Sequence, residues 1–311
     1  MRFLILFLFS IFFISPSNGE NATSSKGIIA TSNPHASKAA HEIIRKGGNA
    51  IDAAVAVQLV LTLTEPQATG IGGGAFMLYW DAKKSKLFAI DGREKAPSKA
   101  KEDLFLNKDG NKIKFYPDAV VGAKSVGVPG IIKLLEETHK KFGRLAWNDL
   151  FGYAIELSEN GFSVSPALHN TLGYLSYLKT IEPAGSLYYK KNSDGEKVPV
   201  PIGHILKNKE YAETLRRISL FGSQDFYEGK TAQLIINALK EADKNSFMSL
   251  DDLKNYQVVW REPLCDLYRS YSVCSMPPPS SGGLTMLMML KILENFDIHK
   301  LKPESSEMVH L

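Results

Sequence analysis

One stretch limits the fold more than any other. Residues 50–63, AIDAAVAVQLVLTL, are apolar on nearly every side of the helix they favour. Such a helix has to be buried over most of its surface, so other layers must wrap it, and a chain of 311 residues can supply them. Asn49 stands at the N-cap and Pro66 closes the run. Upstream, a short strand is expected over 27–31. Asn33 then caps a second helix with Pro34 at its first position, running through Ala39, Ile43 and Ile44 to Gly47-Gly48.

Four glycines follow within five positions, in TEPQATGIGGGAFMLYW, residues 64–80. Gly70, Gly72 and Ala75 satisfy G-x-G-x-x-A, and Asp91 lies where an acidic ribose ligand is expected. A dinucleotide site, however, needs a strand before the glycines and a helix after them, so that the helix N-terminus meets the pyrophosphate. Here the order is reversed. The glycines are therefore expected to let another backbone or a substrate come close. Phe76–Trp80 reads as a strand and KLFAIDGRE, 86–94, as its hairpin partner across DAKKSK. That places Arg93 near the far end, either in a salt bridge with Asp91 or Glu94, or as a guanidinium fork for a substrate carboxylate.

Further helices are expected at 130–141, 147–159, near 166–179, at 208–219 and at 230–243, with a surface excursion over 181–204 and a capping box in SLDD, 249–252. The class is α+β, with no repeat, linker or composition shift to mark a domain border. The net charge of +4 is thinly spread, without a basic block interleaved with aromatics, so no nucleic-acid partner is expected. The seven His lack ligand-like spacing, so no metal is implied, and no cofactor is expected. HEIIR at 41–45 lacks the second His of a zinc motif. In GAKSVG, 122–127, the Ser is misplaced for G-x-S-x-G. Ser280 and Ser281, in PPPSSGG, read as helix caps before they read as nucleophiles.

The N-terminus, MRFLILFLFSIFFISPSNGE, has one Arg, an apolar run from Phe3 to Ile14 and a Ser/Pro/Asn/Gly stretch. That is a secretory signal-peptide pattern, with cleavage expected near Gly19 and a run too short for a bilayer core of about 30 Å. The mature part is then 20–311, exported to a periplasm or the medium. NAT at 21–23 fits a glycosylation sequon by chance. Near the other end, WREPLCDLYRSYSVCSM, 260–276, reads as a hairpin turning at Arg269-Ser270, which sets Cys265 opposite Cys274. The pair falls at a non-hydrogen-bonded site, with Cα atoms about 4.5 Å apart, within reach of a disulfide. An oxidising compartment favours the bridge; two packed thiols are the alternative.

Taken together, NPHASKAAHEIIRKGGNAIDAAVAVQLVLTLTEPQATGIGGGAF, DGREKAP, SVGVPG and MPPPSSGG closely resemble the gamma-glutamyltransferase family, also called glutathione hydrolases. The resemblance implies an exported proenzyme, or zymogen, with an N-terminal nucleophile hydrolase fold, an αββα sandwich. Such proteins cut themselves into a large and a small subunit, and the Thr that opens the small subunit is the nucleophile. They transfer γ-glutamyl groups from glutathione and other γ-glutamyl compounds to water, or to acceptor amino acids or dipeptides. By the same resemblance, Arg93, in D-x-R-E-x-A-P, grips the α-carboxylate of the substrate. The resemblance stops at LKPESSEMVHL within the large subunit, and no segment matches the nucleophilic Thr. Residues 20–311 are thus expected to form an incomplete large-subunit domain, a partial sandwich lacking the small-subunit half and inactive alone. The other reading is a secreted non-catalytic binding protein or a non-functional truncated remnant.

Overall fold

The computed structural model describes residues 27–244 and 246–311. The signal-peptide stretch 1–19 and the sequon at 21–23 lie outside the described residues. The chain divides into Met1–Ala30 and Thr31–Leu311. In the first unit the described residues, 27–30, form no strand, so the strand expected over 27–31 is not found. Everything below concerns the second unit.

Two Asn caps set its first layer. α1, Pro34–Arg45, starts where the Asn33 side chain accepts the His35 N–H at 3.0 Å. The same Asn33 donates to the Glu65 carboxylate at 2.7 Å, tying the start of α1 to the end of α2, Ala50–Thr64. α2 opens with a reciprocal capping box between Asn49 and Asp52. Asp52 is fully buried, and its carboxylate also accepts the N–H groups of Arg144 and Leu145, with His139 Nε2 3.4 Å away. A buried carboxylate is tolerated when its oxygens are satisfied in this way. It joins the start of α2 to the chain leaving α3.

β1, Ala75–Asp81, pairs antiparallel with β2, Lys86–Gly92. α3, Ile131–Phe142, packs on β2 and on α2. Next come a 3-10 turn, Trp147–Leu150, and α4, Gly152–Asn160, where one continuous helix was expected. The indole N–H of Trp147 donates to the Ile218 carbonyl at 3.0 Å and ties the turn to that distant segment.

β3, Phe162–Ser163, leads into α5, Pro166–Tyr174, and a 3-10 turn, Ser176–Thr180, replaces the rest of the expected helix. The stretch 181–204 is not wholly a surface excursion. It holds α6, Ala184–Leu187, and the hairpin β4–β5, Tyr189–Lys191 with Lys197–Pro199. Tyr189 is buried and its hydroxyl donates to the Leu172 carbonyl at 2.8 Å. β6, Ile205–Leu206, returns to pair with β3.

α7, Lys209–Phe221, packs on α4, and its Tyr211 hydroxyl donates to the Leu59 carbonyl of α2 at 2.9 Å. α8, Ser223–Tyr227, α9, Lys230–Ala242, and α10, Leu250–Lys254, follow, the last opened by a Ser249–Asp252 capping box. β7, Val259–Arg261, joins β2, giving the sheet order β1-β2-β7. The expected hairpin is therefore shorter than 260–276. Only β8, Leu264–Tyr268, and β9, Tyr271–Ser275, pair with each other. α11, Ser281–Leu293, packs on that hairpin, and α12, Ser306–His310, is the last helix among the described residues.

One side of the β1-β2-β7 sheet is covered by helices, with Ile90 fully buried. On the other side, period-two alternation exposes Phe76, Leu78 and Trp80 of β1. None of the described helices is long and apolar enough to cross a membrane.

Candidate functional site

The glycine stretch answers the question its sequence raised. Chain order is α2, glycines, β1, so no strand feeds the loop and no helix leaves it. The helix whose start the loop meets is α3, and that start is filled: Gly130 and Ile131 donate their N–H groups to the Gly73 carbonyl at 2.9 and 3.2 Å. A carbonyl sits where a phosphate would have to bind. At Gly73 and Gly74 the absent side chains serve close approach instead, whereas a Cβ on Gly70 or Gly72 would meet nothing within 4 Å. A Cβ on Gly74 would stand 2.7 Å from the Glu94 nitrogen and 2.8 Å from the Arg93 Cα. Gly74 thus presses against the end of β2, where Arg93 leaves the sheet.

Neither carboxylate considered as a partner pairs with the Arg93 guanidinium. Asp91, buried on the sheet, takes Arg261 of β7 instead: one carboxylate oxygen accepts its Nε–H at 2.9 Å and lies 2.8 Å from its Nη2. The other Asp91 oxygen accepts the backbone N–H of Arg93 at 2.9 Å. Among the described residues, the guanidinium makes one hydrogen bond, from Nη1 to the Pro279 carbonyl at 3.2 Å. That carbonyl precedes α11, so the link spans two distant parts of the chain. The Nε and Nη2 edge of this exposed side chain has no protein acceptor among the described residues, which leaves a fork open to a carboxylate.

Tyr256 completes the surroundings of Arg93. Its ring is buried, and its hydroxyl donates to the Arg93 carbonyl at 2.7 Å. Burial, then the charges of Asp91, Glu94 and Glu137, push the phenol well above its ordinary value, so it remains a donor. Arg261 and Tyr256 were not picked out from the sequence. Each meets the Arg93 segment across more than 160 positions, and no local pattern announces such a contact.

Ser280 and Ser281 stand at the start of α11. Ser280 occupies the N-cap, but its side chain forms no capping bond, so the expected cap is present by position and not by hydrogen bond. Cys265 and Cys274 are direct partners in the β8–β9 register, away from Arg93 in sequence, with Cα atoms 4.1 Å apart and the sulfurs 2.12 Å apart. The described residues contain no group of three or more His, Cys, Asp or Glu able to hold a metal ion.

Residues 36–311 match the family model described as gamma-glutamyltranspeptidase. The glutathione hydrolase proenzyme of Bacillus subtilis (strain 168) is 37% identical over 285 residues, covering 92% of this chain and 47% of that protein. The chain thus spans about half the length of the curated relatives it matches. Among solved structures, Helicobacter pylori gamma-glutamyltranspeptidase superposes with a TM-score of 0.86 at 34% identity, over 93% of this chain and 80% of the other. A gamma-glutamyltranspeptidase from Pseudomonas nitroreducens complexed with L-DON gives 0.82 at 34% identity, over 93% and 83%.

Proposed function

The chain belongs to the gamma-glutamyltranspeptidase family, and from that membership we propose that it supplies the glutamyl-binding part of an enzyme that hydrolyses glutathione and transfers γ-glutamyl groups. Arg93 is the clamp. Its open edge would take both oxygens of the substrate α-carboxylate, a recognition that a Lys point charge reproduces poorly. Held by that end, the substrate presents its γ-carbonyl to the nucleophile.

In this reading the nucleophile is the Thr that opens a small subunit, activated by its own α-amine. Attack on the γ-carbonyl forms an acyl-enzyme and releases the amine of the leaving group. Water then hydrolyses it, or the amine of an acceptor amino acid or dipeptide takes the acyl group. Residues 1–19 are a signal peptide, 20–311 the large-subunit part, and the product is exported to a periplasm or the medium. The small subunit covers the apolar side chains left open on β1 and α11, and Cys265 and Cys274 form a disulfide.

The observation that carries this proposal is the free guanidinium edge, kept free because Arg261 occupies Asp91. Ligand-observed NMR titration of this chain with L-glutamate and glutathione tests it. Both ligands are expected to bind without turnover. Arg93→Ala should weaken binding roughly 10- to 150-fold, the equivalent of a charge-assisted hydrogen bond of about 1.5–3 kcal/mol. Equal binding by Arg93→Ala and the unaltered chain would overturn the clamp.

A further inference from the structure

Arg93 lies on the surface, and a long side chain anchored at one carbonyl can swing. Its backbone is held much more firmly than its exposure suggests. Asp91 grips the Arg93 N–H at 2.9 Å from one side, and the Tyr256 hydroxyl grips its carbonyl at 2.7 Å from the other. The peptide groups on both sides of the Arg93 Cα are therefore fixed, so φ and ψ are set, and with them the direction in which the side chain leaves the main chain.

The Tyr256 hydroxyl has little freedom to do anything else. A Cβ on Gly130 would lie 2.1 Å from this hydroxyl and 2.1 Å from the Gly92 carbonyl. Three backbone segments, at 92–93, 130 and 256, thus converge on one oxygen. The ring is clamped as well: Tyr227 stacks on it with centroids 5.8 Å apart, and the Lys95 ammonium stands 5.1 Å above its centre. The segment carrying Tyr256 is tied to the residues after Arg93 by two further bonds. Asp252 accepts the Ser98 N–H at 2.8 Å, and Lys95 Nζ donates to the Gln257 carbonyl at 2.9 Å. This bracing ends on the residue with the open fork.

We propose that Tyr256 is a positioning residue for Arg93, its hydroxyl fixing the Arg93 carbonyl so that the guanidinium meets the α-carboxylate of a γ-glutamyl compound in a set direction. The inference rests on the reading of Arg93 as the clamp. Tyr256 does not touch the ligand. It removes the freedom that Arg93 would otherwise lose on binding, and such preorganisation raises affinity without a new contact.

Tyr256→Phe keeps the stacked ring and deletes only the hydroxyl. Tyr211→Phe is the control: it deletes a buried hydroxyl that donates to the Leu59 carbonyl of α2, outside the segments that meet Tyr256. Kd for L-glutamate and glutathione by NMR titration, and Tm by thermal unfolding, are measured for both variants, for Arg93→Ala and for the unaltered chain. Tyr256→Phe is expected to weaken both ligands roughly three- to tenfold, the range of one neutral hydrogen bond. Tyr211→Phe is expected to lower Tm about as much as Tyr256→Phe while leaving Kd unchanged. If Arg93→Ala weakens binding and Tyr256→Phe does not, the positioning role falls and the clamp stands. If Tyr211→Phe weakens binding as much as Tyr256→Phe, the effect is general loosening and the proposal is wrong. If Arg93→Ala changes nothing, or the unaltered chain binds neither ligand, clamp and positioning role fall together.

Discussion

α2 and α11 are both apolar helices, AIDAAVAVQLVLTLT and SGGLTMLMMLKIL, yet nine of the fifteen residues of α2 are buried and in α11 only Gly283 and Leu287 are. Composition does not separate them; neighbours do. α2 is enclosed by α1, α3 and α4, with Tyr211 of α7 bonded to its backbone. α11 rests on the β8–β9 hairpin and leaves Leu284, Met288, Met289 and Ile292 open, each at least 47% exposed. The outer face of β1 is open in the same way. The surroundings of α2, where hydrophobic surface is matched, are thus a finished side, whereas α11 and the outer face of β1 are each an open side of the kind that marks interaction surfaces.

The contrast can be broken most severely on the finished side. Leu59→Ala, at a fully buried position, is expected to cost about 2–5 kcal/mol, read from the denaturant midpoint and slope. A loss under about 1 kcal/mol would show that the α2 environment can collapse onto the cavity.

The pH dependence of the same side gives the next largest effect. Burial pushes the Glu136 carboxyl up, but the Lys140 ammonium and the N–H and hydroxyl of Ser223, at 2.8–2.9 Å, pull harder, and its pKa ends below the ordinary value. A carboxylate with a lowered folded-state pKa contributes its stability in full above the unfolded-state value and loses it as pH falls through the folded one. Glu136→Gln should therefore be less stable by about 1.5–3 kcal/mol at neutral pH, and the gap should close as the solution is acidified below the ordinary carboxylate pKa, about 4.3. A gap constant down to acid pH would remove the ionised form from the explanation.

On the open side the effects are smaller. Thiol titration of denatured exported protein should find no free thiols, and reduction should cost about 2 kcal/mol, since the loop closed by Cys265 and Cys274 is short. Two titratable thiols per chain would rule out the bridge. Smallest of all, Ile292→Ala should change stability by less than about 0.5 kcal/mol in this chain. A loss like that of Leu59→Ala would erase the distinction between the two helices.

What was legible in the sequence follows the same physical divide between local and distant. Asn33, Asn49, and Ser249 with Asp252 all cap as expected, because a cap is settled within three or four residues. The β8–β9 register was readable because a two-residue turn at Arg269-Ser270 leaves it no freedom. β7 was not: its Trp260 and Arg261 looked like part of one arm of that hairpin, and the strand's true partner lies about 170 residues earlier on β2. GIIAT at 27–31 has strand composition, but composition does not supply a strand to pair with. Arg93 could be singled out by its motif. The competing salt bridge could be dismissed only once Arg261 was seen on Asp91.

The glycines around Glu94 carry a consequence for mutational scanning. A methyl group added at Gly73 would meet the Glu94 side chain at 3.3 Å, at Gly74 its carboxylate at 2.6 Å, and at Gly127 its Cβ at 2.9 Å. Three substitutions, two of them more than fifty positions from the third, would displace the same residue. Once one has moved Glu94, the others find part of the space already vacated. Their effects should therefore combine to less than their sum, as expected for positions that share a partner. A double mutant joining position 74 to position 127 would then be less damaged than its two single mutants imply, and genetic interaction at these sites would report on a single crowded side chain.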